Sequence, residues 1–324
     1  MKYTDRVYGN IEIDEPVILE LINSKTIQRL KDIDQAGYFE PHFPGTAYSR
    51  FEHSIGVYLL LKMYNTSIEE QIAGLIHDVS HSAFSHCIDY VLDVGSEKQQ
   101  NHQDNIFDEF VRKSEISEIL KKYNLDLDYI LDDQNFSLKE KDLPDLCADR
   151  IDYSLRTATV FKEIENGKYF IENLLAEDGQ WIFKDFESAE KYAKLFLKLN
   201  GDYYAGLPSA VMFRTVGDYL RYALLKSYIS EKDLYTTDKI VLKKIESHIK
   251  NDSELSLLFD RMNNKFGFKN DPKDYTIKIF CKSRVVDPLC KHDGKIKRFS
   301  EINLSWNDVI KRESEPKEYF LKFF

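Results

Sequence analysis

The chain has 324 residues, of which 43% are hydrophobic and 13% aromatic, and its 55 acidic against 45 basic side chains leave a formal net charge of −10. That length can bury a large core in one domain or two, and the acidic balance excludes the broad basic field that binds nucleic acid by counterion release, so nucleic acid is an unlikely partner. The four cysteines follow no zinc-ribbon or disulfide-framework spacing, no run approaches a membrane span, and Met1 to Arg6 lacks a signal peptide's apolar core, so a soluble cytoplasmic chain without a membrane partner is expected.

In chain order, Asp14-Glu15-Pro16 opens a series of apolar positions (Val17, Leu21, Ile22, Ile27, Leu30, Ile33) at helical spacing, which predicts two short helices. Gly37 to Thr46, with Pro41, Pro44 and Gly45, reads as a loop. Phe51 to Met63 and Glu69 to Ile76 are nearly continuously apolar and predict buried helices, with His77 and His81, four apart, on one helical face. Residues 97–142 are charged helical text broken near Asp132 to Asn135. An amphipathic helix is expected from about Leu143 to Thr159, with Pro144 in its first turn. A strand pair is expected around Tyr169-Phe170 and Trp181-Ile182-Phe183, then helices from Glu187 to Leu199 and near Val211 to Tyr228. Tyr275 to Phe280 and Glu318 to Phe323 alternate as half-buried strands do. The fold expected is mainly α, a helical bundle over residues 1–230 with a small β-containing C-terminal appendage over 231–324.

Six of the eight histidines, His42, His53, His77, His81, His86 and His102, fall within about sixty residues. Imidazole and carboxylate without nearby cysteine point to a catalytic divalent ion rather than a structural zinc. Arg50 and His53, three apart, share a helical face, and arginine's planar fork suits phosphate oxygens, although Arg50 could equally neutralise Glu52. The run Ser80 to His86 is rich in small polar residues, a plausible pocket wall whose histidines, His81 and His86, can donate to phosphate or carry protons. Asp149, Asp152 and Arg156 lie on one predicted helix, where a carboxylate could complete a His/His/Asp/Asp set with His53, His77 and Asp78. A lone histidine is more often a hydrogen-bonded core residue, which is the reading for His42, His248 and His292; Asp152 and Arg156, four apart, are expected to form a structural ion pair.

His53, His77-Asp78 and Asp149 together resemble the HD superfamily of metal-dependent phosphohydrolases. The likeness is closer to its deoxynucleoside triphosphate triphosphohydrolase branch, through Phe43-Pro44-Gly45, Arg50-Phe51-Glu52-His53-Ser54-Ile55-Gly56-Val57, the run His77 to His86, Asn101-His102-Gln103, Asp149-Arg150-Ile151-Asp152-Tyr153 and Lys282 to Leu289. The resemblance implies a helical HD domain, usually in a homo-oligomer, and a divalent ion (Mn, Mg, Fe, Co, Ni or Zn) held by His53, His77, Asp78 and Asp149. It implies a nucleotide substrate, with a dNTP split into deoxynucleoside and triphosphate. His102 would protonate the leaving oxygen, His81 and His86 would handle phosphate, Arg50 would neutralise charge, Tyr153 would meet the sugar and Gln35 would read its hydroxyl. Three departures bear on substrate: Gln103 where the branch has Glu, Thr157 where it has a sugar-contacting Asp, and Val216, Leu224 and Lys226 in place of nucleotide-contacting residues. Lys226, Arg214 and Arg221 are the replacement cations to inspect. The competing readings are hydrolysis of another mono-, di- or ribonucleotide, a catalytically weak nucleotide sensor, and a nuclease.

Overall fold

The computed structural model describes residues 1–92 and 96–324. An N-terminal hairpin of β1 (Lys2–Asp5) and β2 (Gly9–Glu12) precedes α1 (Pro16–Asn23) and α2 (Lys25–Arg29), the two short helices expected there. Pro16 opens α1 where a missing N–H costs nothing, and Ser24 starts α2, its hydroxyl accepting from Ile27 N.

The central pair is α3 (Arg50–Met63) and α4 (Ile68–Ile76), capped by Ser49 and Ser67, whose hydroxyls accept from Glu52 N and Glu70 N. Beside it lie α5 (His102–Lys113), α6 (Glu115–Lys122) and α7 (Leu127–Leu131), while α8 (Ala148–Val160) crosses α3. Gly56 permits that close crossing, since a Cβ there would stand 2.0 Å from Asp152 Oδ1 and 2.1 Å from Arg156 Nη2.

After α9 (Lys168–Glu172), the hairpin β3 (Leu174–Glu177) and β4 (Gln180–Phe183) leads to α10 (Phe186–Leu199), α11 (Leu207–Leu225), α12 (Glu231–Leu234), α13 (Asp238–Ile249) and α14 (Ser253–Met262). Then come β5 (Phe268–Asn270), β6 (Ile277–Cys281), β7 (Leu289–His292), β8 (Lys295–Arg298), α15 (Phe299–Ile302), α16 (Trp306–Glu313) and β9 (Lys317–Phe323). β9 runs antiparallel between β5 and β6, whereas β4 pairs in parallel with β7, with Ile182 opposite Leu289. The fold is therefore mainly α with small sheets towards the C-terminus, and among the described residues no helix is long and apolar enough to cross a membrane. One core lies between α1, α3 and α4, a second joins α3, α8 and α10, and a third packs α11 and α14 against β6 and β9.

Three local expectations differ from the structure. The helix expected to carry both His77 and His81 ends at Ile76, and His77 to Ser80 form turns. The carbonyls of Val79 and His81 accept from Arg29 Nη2 at 2.7 and 2.8 Å, so they are not free for a helical ladder. The helix expected from Leu143 starts at Ala148, with Pro144 before it; Arg150 takes the carbonyls of Lys141 and Asp145, and Pro144 O accepts from Asp287 N. Tyr169-Phe170 lie in α9, and the true hairpin turns on Asp178-Gly179, at φ of 50° and 68°, pairing Glu177 with Gln180.

Candidate metal centre

The centre is assembled from the first turn of α3, the end of α4 and the first turn of α8. His53 Nε2 lies 3.2 Å from His77 Nε2 and 2.8 Å from Asp149 Oδ1, which is 3.4 Å from His77 Nε2. Asp78 closes the set, Oδ2 3.6 Å from His53 Nε2 and Oδ1 3.5 Å from His77 Nε2.

The tautomers follow from the far side of each ring. His77 Nδ1 faces the carbonyl of Gly74 at 2.7 Å, and a carbonyl only accepts, so Nδ1 carries the proton. His53 Nδ1 likewise faces Asp152 Oδ2 at 2.7 Å. In their neutral forms both rings therefore turn an Nε2 lone pair inward, towards each other and towards two carboxylates. That converges acceptors without donors, which a cation relieves. Cis ligand atoms on an octahedral ion with bonds of about 2.1 Å are about 3.0 Å apart, close to the separations here, so the residues fit a divalent ion. Without one the same cluster gathers protons: burial alone would depress His53, but Asp149 and Asp152 outweigh it and lift its pKa to about 9.

Arg50, 2% exposed, donates from Nη1 to Asp78 Oδ2 at 2.6 Å, from Nη2 to Gln35 O at 2.7 Å and from Nε to Ser85 Oγ at 2.7 Å. It pairs with Asp78 and not with Glu52, which meets Arg6. Burial opposes the charge on Asp78, yet Arg50, His77 and His81 hold its carboxyl well below the usual range.

The centre opens into a cavity of about 860 Å3 whose wall includes Gln35, Arg50, His81, His86 and Tyr153. His81 Nε2 stands 3.3 Å from Asp78 Oδ1, and His86 Nδ1 stands 3.5 Å from Asp89 Oδ2; burial and the charge of Arg50 hold both imidazoles neutral. A smaller aromatic side pocket, walled by Tyr48, Tyr153, Tyr203 and Phe213, joins it at Gln35, His86, Gln100 and Arg284. Among the described residues, Gln35 Oε1 and Gln100 Nε2 are buried there without a hydrogen-bond partner.

Four residues singled out from the sequence, His102, Arg214, Arg221 and Lys226, do not line this cavity. His102 is 1% exposed and its Nε2 meets the Tyr235 hydroxyl at 3.0 Å, behind the cavity wall; its neighbours Gln103 and Asp104 face the cavity instead. Arg214 pairs with Asp218 at 2.9 Å, and Lys226 lies exposed at the end of α11 against the Tyr222 ring. Arg221 reaches the Tyr90 carbonyl. The cations facing the cavity from the C-terminal region are Lys282 and Arg284, whose Nη2 donates to Gln100 Oε1 at 3.1 Å. The likeness along α11 pointed to cations that do not line the cavity; the Lys282 to Leu289 likeness was the signal available for the two that do. Asp152 and Arg156 do pair, at 2.8 Å and with no exposed side-chain surface, but Asp152 also holds His53, a role its helical spacing did not reveal.

Residues 50–157 match the model of the HD domain family. An uncharacterised protein of Bacillus subtilis, YdhJ, is 35% identical over 298 residues, covering 91% of this chain and 90% of that protein. The metal-dependent phosphohydrolase cns2 of Cordyceps militaris is 33% identical over 162 residues, 49% of this chain and 46% of that one. The deoxynucleoside triphosphate triphosphohydrolase SAMHD1 of Mus musculus is 33% identical over 143 residues, 38% of this chain and 22% of that one. Among solved structures, a phosphohydrolase from Bacteroides thetaiotaomicron superposes with a TM-score of 0.70 at 17% identity, covering 100% of this chain and 99% of that one, a likeness of fold.

Proposed function

The chain belongs to the HD-domain superfamily of metal-dependent phosphohydrolases, and from that premise we propose that it hydrolyses a nucleotide phosphoester, with a dNTP split into deoxynucleoside and triphosphate as the leading reaction. The observation that carries the reading is the convergence of His53 Nε2, His77 Nε2, Asp78 and Asp149 beside Arg50 at the mouth of a polar cavity joined to an aromatic pocket.

A divalent ion in that quartet supplies Lewis-acid polarisation of the phosphoryl group and of the attacking water. Arg50, fixed by three acceptors, holds its guanidinium where charge grows on the phosphoryl oxygens, oriented in advance of the reaction. His81, neutral and donating from Nε2 to Asp78 Oδ1, helps fix that carboxylate beside the phosphate site. His86 borders both cavities, where phosphate and organic moiety would meet; with its Nδ1 proton towards Asp89, its free Nε2 is a base that would take a proton from the attacking water and pass it to the leaving oxygen, the role expected of His102. Tyr153 offers a ring face to a sugar, and the unpartnered Gln35 Oε1 and Gln100 Nε2 offer an acceptor and a donor to its hydroxyls.

The test is a panel of ribo- and deoxynucleoside mono-, di- and triphosphates assayed with Mn, Mg, Co and Ni. Release of triphosphate from a dNTP supports the leading reaction; release of inorganic phosphate from a monophosphate moves the assignment to a nucleotidase. His77→Ala and Asp149→Ala should lose bound metal and at least a hundredfold in activity with helical circular dichroism intact, and activity surviving in either would sink the ligand set.

A further inference from the structure

The loop that carries His81 and His86 is fastened from behind by a segment far from it in sequence and outside the matched HD span. Ala83 N donates to Leu234 O at 2.7 Å. Arg29 bridges the two segments, donating to Val79 O and His81 O from Nη2 and to Thr236 O from Nη1 at 3.0 Å. The Asp238 carboxylate accepts from Phe84 N at 2.7 Å on Oδ1 and from Asp34 N at 2.9 Å on Oδ2. At the near end the Tyr235 hydroxyl meets His102 Nε2.

These bonds lead directly to Arg50. Phe84 and Ser85 both sit in the left-handed region, at φ of 60° and 45°, a conformation that non-glycine residues hold only when their surroundings impose it. Ser85 Oγ donates to Asp34 O and accepts from Arg50 Nε, and the next carbonyl, Gln35 O, accepts from Arg50 Nη2. One carboxylate thus clamps both strands of backbone that cradle the arginine, and that arginine holds Asp78.

We propose that residues 234–238 are a positioning clasp for the centre, with Asp238 as the positioning residue that sets the geometry of Arg50 through the amides of Asp34 and Phe84. The clasp places α12 and α13 in mechanical contact with the chemistry: whatever displaces the start of α13 displaces Arg50. The inference rests on the proposed role of Arg50 and Asp78.

The test compares wild type with Asp238→Asn, which keeps the shape but turns an NH2 towards one of the two amides, and with Tyr235→Phe, which removes only the hydroxyl. Hydrogen exchange over residues 33–36 and 83–86 should quicken at least tenfold in Asp238→Asn, with one Mn per chain still bound and kcat lowered about tenfold more than KM is changed. In an Arg50→Lys background the same substitution should cost less than threefold, because its effect passes through Arg50. Exchange or kcat within twofold of wild type, or an undiminished kcat loss in the Arg50→Lys background, overturns the clasp. If Asp238→Asn does not fold, Asp238→Glu, which keeps the charge but lengthens the side chain, decides: exchange over 33–36 and 83–86 and kcat both change, or the clasp is wrong; Tyr235→Phe is the control, quickening exchange over 101–104 alone. Should wild type turn over nothing in the panel, the hydrolase reading fails while the exchange measurement still decides the clasp.

Discussion

At the scale of single residues, the centre shows how a histidine's far nitrogen decides what its near one can do. His53 and His77 point lone pairs inward because Asp152 and the Gly74 carbonyl take the protons on their other nitrogens. Residue type and spacing made both histidines and both carboxylates of the candidate ligand set legible, but not the hold of Asp152 on His53, because its spacing to Arg156 reads equally as an ordinary helix pair. Lys282 was legible only as part of a likeness. Facing the cavity, its ammonium is disfavoured by burial and by Arg284, and its pKa falls to about 8. If it binds phosphate it does so protonated, so kcat/KM should fall as pH rises through about 8. Lys282→Arg, charged throughout, should move that fall to higher pH; identical pH profiles for the two proteins would remove Lys282 from the site.

At the scale of elements, α8 grips the His53 ring with two carboxylates three residues apart on one face, Asp149 on Nε2 and Asp152 on Nδ1. Asp149 in its first turn faces the ligands, while Asp152 and Arg156 are buried against α3 through the space left by Gly56. Arg156 also pairs with Asp5 at 3.0 Å, so the N-terminal hairpin is tied to the far side of the His53 ring's partner. Replacing Asp152 with Asn weakens both the hold on His53 and a buried ion pair. A loss of about ten- to a hundredfold in metal affinity or activity is expected from such outer partners, read by Mn titration and by initial rates; affinity and rate equal to wild type would show that Asp152 serves only Arg156. Helices announced themselves by apolar spacing and serine caps, whereas the end of α4 did not, because Arg29, the donor that takes the carbonyls of Val79 and His81 just beyond it, comes from another helix.

At the scale of the whole molecule, strands and clasp both join distant stretches of chain, β4 to β7 and α12–α13 to the loop before His86. An ion bound only by the folded centre stabilises the whole fold by mass action, about 2.7 kcal/mol at a hundred times its Kd, or roughly 3–5 °C in Tm for a chain of this size. Thermal unfolding with Mn and then with EDTA should show that shift in wild type and lose it in Asp149→Ala; the same shift in both would place the bound ion elsewhere.

The sequence by itself determined the helical class, the small β-rich region near its end and the metal-ligand candidates, because periodicity and side-chain chemistry are local properties. Only the tertiary structure decided that His102 faces Tyr235 and not the cavity, that Lys282 and Arg284 rather than Lys226 and Arg214 face it, and that Asp238 stands behind Arg50. Each of these depends on which distant segments share a wall, and no spacing along the chain records that.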